Sequence, residues 1–140
     1  MNRTLSKLVF AGVTSIALMT FPVSAETLVF KADMKGATEV PPNDSAGTGT
    51  AEVKVDTETK QMTWTASQSG LSGDPTAAHF HGPAAPGENA PPVVDITGKI
   101  ESGSADLTDV QLADLQAGKL YINIHTAKFP DGEVRGQVVK

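Results

Sequence analysis

From Leu28 onward, apolar and polar residues mostly alternate. "LVFKADM" sets Leu28, Phe30, Ala32 and Met34 on one face, and "TAEVKV" sets Ala51, Val53 and Val55 against Glu52 and Lys54. "QMTWTASQ" does the same with Met62, Trp64 and Ala66. A period of two is the mark of a strand with one buried face. With "DTETK" as the turn between them, the second and third of these stretches read as an antiparallel hairpin. Further on, "TAAHFHG" turns Ala78 and Phe80 inward, and "VVDITGKI" does so with Val94 and Ile96. "KLYINIHT" sets Leu120, Ile122 and Ile124 against Tyr121, Asn123 and His125, while "GEVRGQVV" sets Val134 and Val138 against Glu133, Arg135 and Gln137. The breaks are rich in Pro, Gly, Asn and Asp, which cannot continue a ladder. About seven or eight short antiparallel strands of this kind predict an all-β Greek-key sandwich or barrel.

One stretch breaks the period. In "LTDVQLADLQAGKL", Thr108 precedes Gln111 by three residues, the spacing of a capping box, and Gly118 stands where a helix would stop. A single short helix is expected over about residues 109–117.

Upstream of the alternating pattern, Arg3 and Lys7 precede an apolar run from Leu8 to Phe21, and Val23-Ser24-Ala25 offers a small-x-small cleavage pattern. The run is shorter than the roughly 20 residues of a membrane span. The expectation is a secretory signal over residues 1–25, then one domain over residues 26–140, exported to the periplasm or the extracellular space. Loss of Arg3 and Lys7 would take the formal net charge from −5 to −7. An acidic domain without basic runs argues against nucleic-acid partners and anionic membranes. The sequence has no Cys, which excludes a lipid anchor at the cleavage site, thiolate ligands and disulfide staples. The domain must stand on its core alone.

The chain has three histidines: His79 and His81 two residues apart, and His125. Residues i and i+2 of a strand share a face, with Cα atoms about 6.5–7 Å apart. All three sit opposite the apolar face of their strands. If the strands are neighbours, three imidazoles gather on the outer wall. Three neutral imidazoles suit Cu(II), with Zn(II) as a substitute, and a nitrogen site favours copper. Asp131, Glu133 and Tyr121 are candidates for a fourth contact. Arg135 shares the non-core face. It reads either as a surface ion pair with Glu133 or Asp131, or as a positive charge drawing a small anion to the metal. The alternative for the histidines is a set of solvated surface residues on an interaction module. Glu39, Asn43 and Asp44 lack the dense oxygen spacing of a calcium loop and read as a solvated turn.

The segments "ATEVPPNDSAGTGTAEV", "AAHFHGPAAPGENAPPV" and "LQAGKLYINIHTAKFPDGEVRGQV" resemble, in this order, the CHRD domain, named after repeats in chordin and widespread in secreted bacterial proteins. The resemblance spans about Leu28 to Val138 and implies a β-rich extracellular domain without a defined activity. In chordin, such domains sit in a protein that binds growth factors. A weaker likeness is to copper–zinc superoxide dismutases, in the order His-x-His, a later strand His, then Arg-Gly before a final apolar strand. It implies copper ligands at His79, His81 and His125 and an anion-guiding role for Arg135. There is no histidine in the Gly82–Pro92 loop, so only the copper half of that site would be present. Three readings follow: a copper-handling or oxidative-defence domain, a copper-only dismutase-like enzyme, and a metal-free interaction module.

Overall fold

A computed structural model describes residues 25–140, so the expected signal segment lies outside the described residues except for Ala25. Eight strands form: β1 (Thr27–Lys35), β2 (Thr48–Asp56), β3 (Gln61–Ser69), β4 (Pro75–His81), β5 (Pro92–Asp95), β6 (Ser102–Asp106), β7 (Tyr121–Thr126) and β8 (Val134–Gln137). They make one antiparallel sheet in the order β5-β4-β7-β8-β1-β2-β3-β6, rolled into a nearly closed barrel. The last strand returns beside the first, and β4–β7 and β3–β6 are likewise non-consecutive neighbours. The β2–β3 hairpin pairs as expected, with Val53 opposite Trp64 and Val55 opposite Met62. Among the described residues no helix is long and apolar enough to cross a membrane.

The inward positions of the alternating pattern are the core. Phe30, Ala32, Met34, Ala51, Val53, Val55, Met62, Trp64, Ala78, Phe80, Leu120, Ile122, Ile124, Val134 and Val138 are all buried. Each large apolar side chain so buried contributes about 1.5–3 kcal/mol, and with no disulfide this is the main source of stability. Trp64 meets Phe80 edge-on, with centroids 5.6 Å apart, and its Nε1 donates to Lys99 O at 2.9 Å.

The helix, α1, spans Asp109–Gln116. Its capping box is complete, with Gln111 N donating to Thr108 Oγ1 at 3.2 Å and Thr108 N to Gln111 Oε1 at 2.9 Å. Gly118, at φ 69°, ends it in the left-handed conformation that favours glycine. β6 was not marked by the alternation. Its inward residues are Gly103 and Ala105, kept small because a Cβ at Gly103 would overlap the Trp64 ring.

The outer face of β4, β7 and β8 differs from the expected solvated wall. β7 is buried on both sides. Two loops roof it. The Gly82–Pro91 loop is pinned by Gln137, which donates to Ala84 O at 2.8 Å, and by Arg135. The loop carrying "EVPPN" is pinned by Asn43, whose Nδ2 donates to Gly132 O and Glu133 O, both at 3.1 Å. Asn89 Nδ2 joins the two loops by donating to Val40 O at 2.9 Å. Parity places these polar residues toward solvent, but Arg135, Gln137 and His125 meet loop carbonyls, Asn123 meets His81 and Glu133 meets serine and threonine hydroxyls, and together they form a second, polar core. The "EVPPN" segment is therefore a packed strap rather than a solvated turn.

Candidate metal centre

β4 and β7 are hydrogen-bonded neighbours, with His81 opposite Tyr121, His79 opposite Asn123 and Ala77 opposite His125. This register sets His125 diagonally across from His79 on one face. One nitrogen from each of His79, His81 and His125 lies within 4.8 Å of the others, and no Asp or Glu joins the group among the described residues. His79 Nδ1 is 3.3 Å from His125 Nε2. Nitrogens around an ion at about 2.0–2.1 Å stand about 2.8–4.2 Å apart, so closure on an ion needs shifts on the order of an ångström or less.

The remaining nitrogen of each ring faces an oxygen. His81 Nδ1 is 2.8 Å from Ala90 O, and His125 Nδ1 is 2.9 Å from Pro130 O. His79 Nε2 is 4.0 Å from Oδ1 of Asp95, which pairs with it across β4–β5. In His81 and His125 an N–H held by a backbone carbonyl leaves the other nitrogen's lone pair free to ligate, whereas His79 Nδ1 donates to His125 Nε2 and ligates once its proton shifts to Nε2, on the Asp95 side. Burial lowers the pKa of His79, with the neighbouring His125 adding to it and Asp95 opposing. Burial also lowers that of His81, against the hydrogen bonds to Ala90 and Asn123. Both rings are thereby biased to the neutral form a metal requires.

His81 is 9% exposed and stacks on Tyr121, with centroids 4.7 Å apart and planes 2° from parallel. Tyr121 Oη is 3.2 Å from both Ala90 N and Ala90 O, so it secures the carbonyl that holds His81. Arg135, on β8, lies beyond Tyr121 in the strand order, its guanidinium 3.5 Å from the ring centroid.

Arg135 departs from the surface ion-pair reading. It is 2% exposed and donates to Glu88 O at 2.7 Å and to Asn89 Oδ1 at 3.1 Å. Its electrostatic partner is Glu39, another buried group, rather than Glu133 or Asp131. Burial pushes the Glu39 carboxyl up to about 7, although Arg135, the Val40 N–H and the Asn123 amide pull it down. Its Oε1 is buried with no hydrogen-bond partner.

Of the candidate fourth contacts, Glu133 is fully committed. Ser45 Oγ and Ser72 N donate to Oε1, and Ser72 Oγ and Thr126 Oγ1 to Oε2, at 2.5–2.7 Å. Burial alone would raise its pKa, but these donors hold it at about 2. Asp131 is exposed in the turn after β7, and the Tyr121 hydroxyl is taken by Ala90. Glu39, Asn43 and Asp44 form no oxygen cage; Asn43 Oδ1 accepts from Ser45 N at 3.0 Å and its amide braces the strap.

Alternation alone did not single out Asn123 as a site residue. It is 3% exposed, and its carboxamide lies 3.0 Å from His81 Nε2. A neutral His81 spends its one N–H on Ala90 O, so Nε2 accepts and the amide turns its NH2 toward it. A polar residue between Ile122 and Ile124, level with two histidines, was the available signal.

A roofed antiparallel barrel with a three-histidine cluster under the roof is the class of protein that fold and site define. The family model of the CHRD domain matches residues 30–138, and the chain belongs to that family. No curated protein and no solved structure matches the chain.

Proposed function

We propose that this CHRD domain is an exported metal-binding protein that holds one copper ion through His79, His81 and His125, and serves copper handling or oxidative defence. The observation that carries this reading is the convergence of one nitrogen from each ring, with backbone carbonyls holding Nδ1 of His81 and of His125 and Asp95 standing 4.0 Å from His79 Nε2. Solvated surface histidines on two neighbouring strands have no reason to be arranged this way. An all-nitrogen donor set at neutral pH favours Cu(II), with Zn(II) as a weaker substitute. Export rests on the basic start, the apolar run and the Val23-Ser24-Ala25 pattern.

Handling is favoured over dismutase-like turnover. Steering a small anion needs an accessible cation beside the metal, and Arg135 is buried, committed to the roof loop and separated from His81 by the Tyr121 ring. The test is Cu(II) titration of the protein against the His79→Ala/His81→Ala double variant. One ion per chain, lost in the variant and weakened as pH falls below the ordinary histidine value of about 6.5, supports the proposal; equal uptake by both proteins overturns it.

A further inference from the structure

Resting on the three-histidine reading, we infer that Asn123 plugs the His81 corner of the site in the metal-free protein and must withdraw before all three histidines can hold an ion. The residue thereby sets both the affinity and the rate of uptake.

The argument is one of space. A metal on an imidazole nitrogen sits in the ring plane, along the lone pair, at about 2.0–2.1 Å. Along that direction from His81 Nε2, the Asn123 carboxamide stands at 3.0 Å. An ion placed there would lie about 1–2 Å from the amide, far inside the contact distance of a side-chain group it does not bind. Both cannot occupy the place.

Using Nδ1 instead does not relieve the conflict. That nitrogen faces Ala90 O at 2.8 Å, a backbone atom tied down by the Tyr121 hydroxyl. The Asn123 carboxamide is a side chain with two rotatable bonds, and it is the part that can move. The other two ligands need no side chain to withdraw: an ion displaces only the proton that His79 Nδ1 shares with His125 Nε2, 3.3 Å away. Binding therefore proceeds in two stages. His79 and His125 take the ion first, and His81 joins when Asn123 lets go.

The surroundings provide for the displaced amide. Glu39, 5% exposed, faces Asn123 and keeps a buried oxygen without a partner. Gly132 makes room for that carboxyl, since a Cβ there would overlap it. An amide turning away from His81 loses that hydrogen bond but stays beside Glu39 and its unpartnered Oε1. This keeps the cost of opening near that of a single hydrogen bond and not that of an orphaned buried group.

Asn123→Ala tests the plug. Alanine leaves a gap that water fills and readily vacates, so the folded variant is expected to bind Cu(II) about five- to tenfold more tightly and more quickly than the wild type. Unchanged or weaker binding in a variant that still folds would overturn the inference. A second readout avoids any folding defect: the Asn123 side-chain amide and the His81 ring followed by NMR in the wild type during Zn(II) titration. Loss of the Asn123–His81 contact on loading supports the plug, and its persistence overturns it. The two claims separate cleanly. Uptake that depends on the histidines but not on Asn123 removes only this inference, whereas uptake indifferent to the histidines removes both.

Discussion

Replacing Glu39 with Gln should stabilise the protein at neutral and alkaline pH while leaving it nearly unchanged in mild acid. Glu39 is 5% exposed, and burial raises its carboxyl from 4.5 to about 7 despite the nearby Arg135. A carboxyl raised on folding favours the neutral form. Its stabilising share is complete below pH 4.5 and is lost as pH rises through 7. At about 1.4 kcal/mol per pH unit, the displacement corresponds to about 3 kcal/mol between those limits. Gln preserves shape and hydrogen-bonding capacity but cannot ionise, so it escapes the loss. Urea unfolding of metal-free wild type and Glu39→Gln at pH 5, 6, 7 and 8 measures this directly. The variant should lead by less than about 1 kcal/mol at pH 5 and by about 3 kcal/mol at pH 8. Taking the difference between the proteins removes the contributions of His79 and His81, whose lowered values reduce stability as pH falls below 6.5. Parallel pH profiles, or a variant less stable than wild type at pH 8, would refute the reasoning.

Glu133 should behave oppositely: held at about 2 by Ser45, Thr126 and Ser72 against the pull of burial, its share of stability is present above 4.5 and lost as pH falls through 2. Glu133→Gln should cost about 3 kcal/mol at pH 7 and flatten acid unfolding between pH 4.5 and 2, read by circular dichroism. Gly103→Ala places a methyl against the Trp64 ring and should destabilise by about 1–3 kcal/mol, with a shift in Trp64 fluorescence reporting the displaced ring.

Much of the barrel was legible from alternation, because burial on one face and hydration on the other leaves a period of two. Phe30, Val53, Trp64, Phe80 and Ile122 fell inside as that period requires. The helix was legible because Thr108 and Gln111 satisfy each other locally. β6 was not, since Gly103 and Ala105 yield their inward volume to Trp64 and leave no apolar signal. For the site, the shared face of His79, His81 and His125 could be read from parity, and the β4–β7 register brought them together. The roof was hidden. Parity tells which side of a strand a residue takes, not what covers that side. The partners of the outer residues are backbone oxygens such as Ala90 O, Pro130 O and Glu88 O, which carry no residue signature. Arg135 and Asn123 therefore looked like surface positions until the loops were in place.

Electron paramagnetic resonance of the protein with one equivalent of Cu(II), set beside His79→Ala/His125→Ala, tests the three-histidine centre most directly. A single axial species with hyperfine splitting from several nitrogens, saturating at one ion per chain and absent from the double variant, is the predicted result. A wild-type spectrum dominated by oxygen ligands, or one unchanged in the double variant, would contradict it.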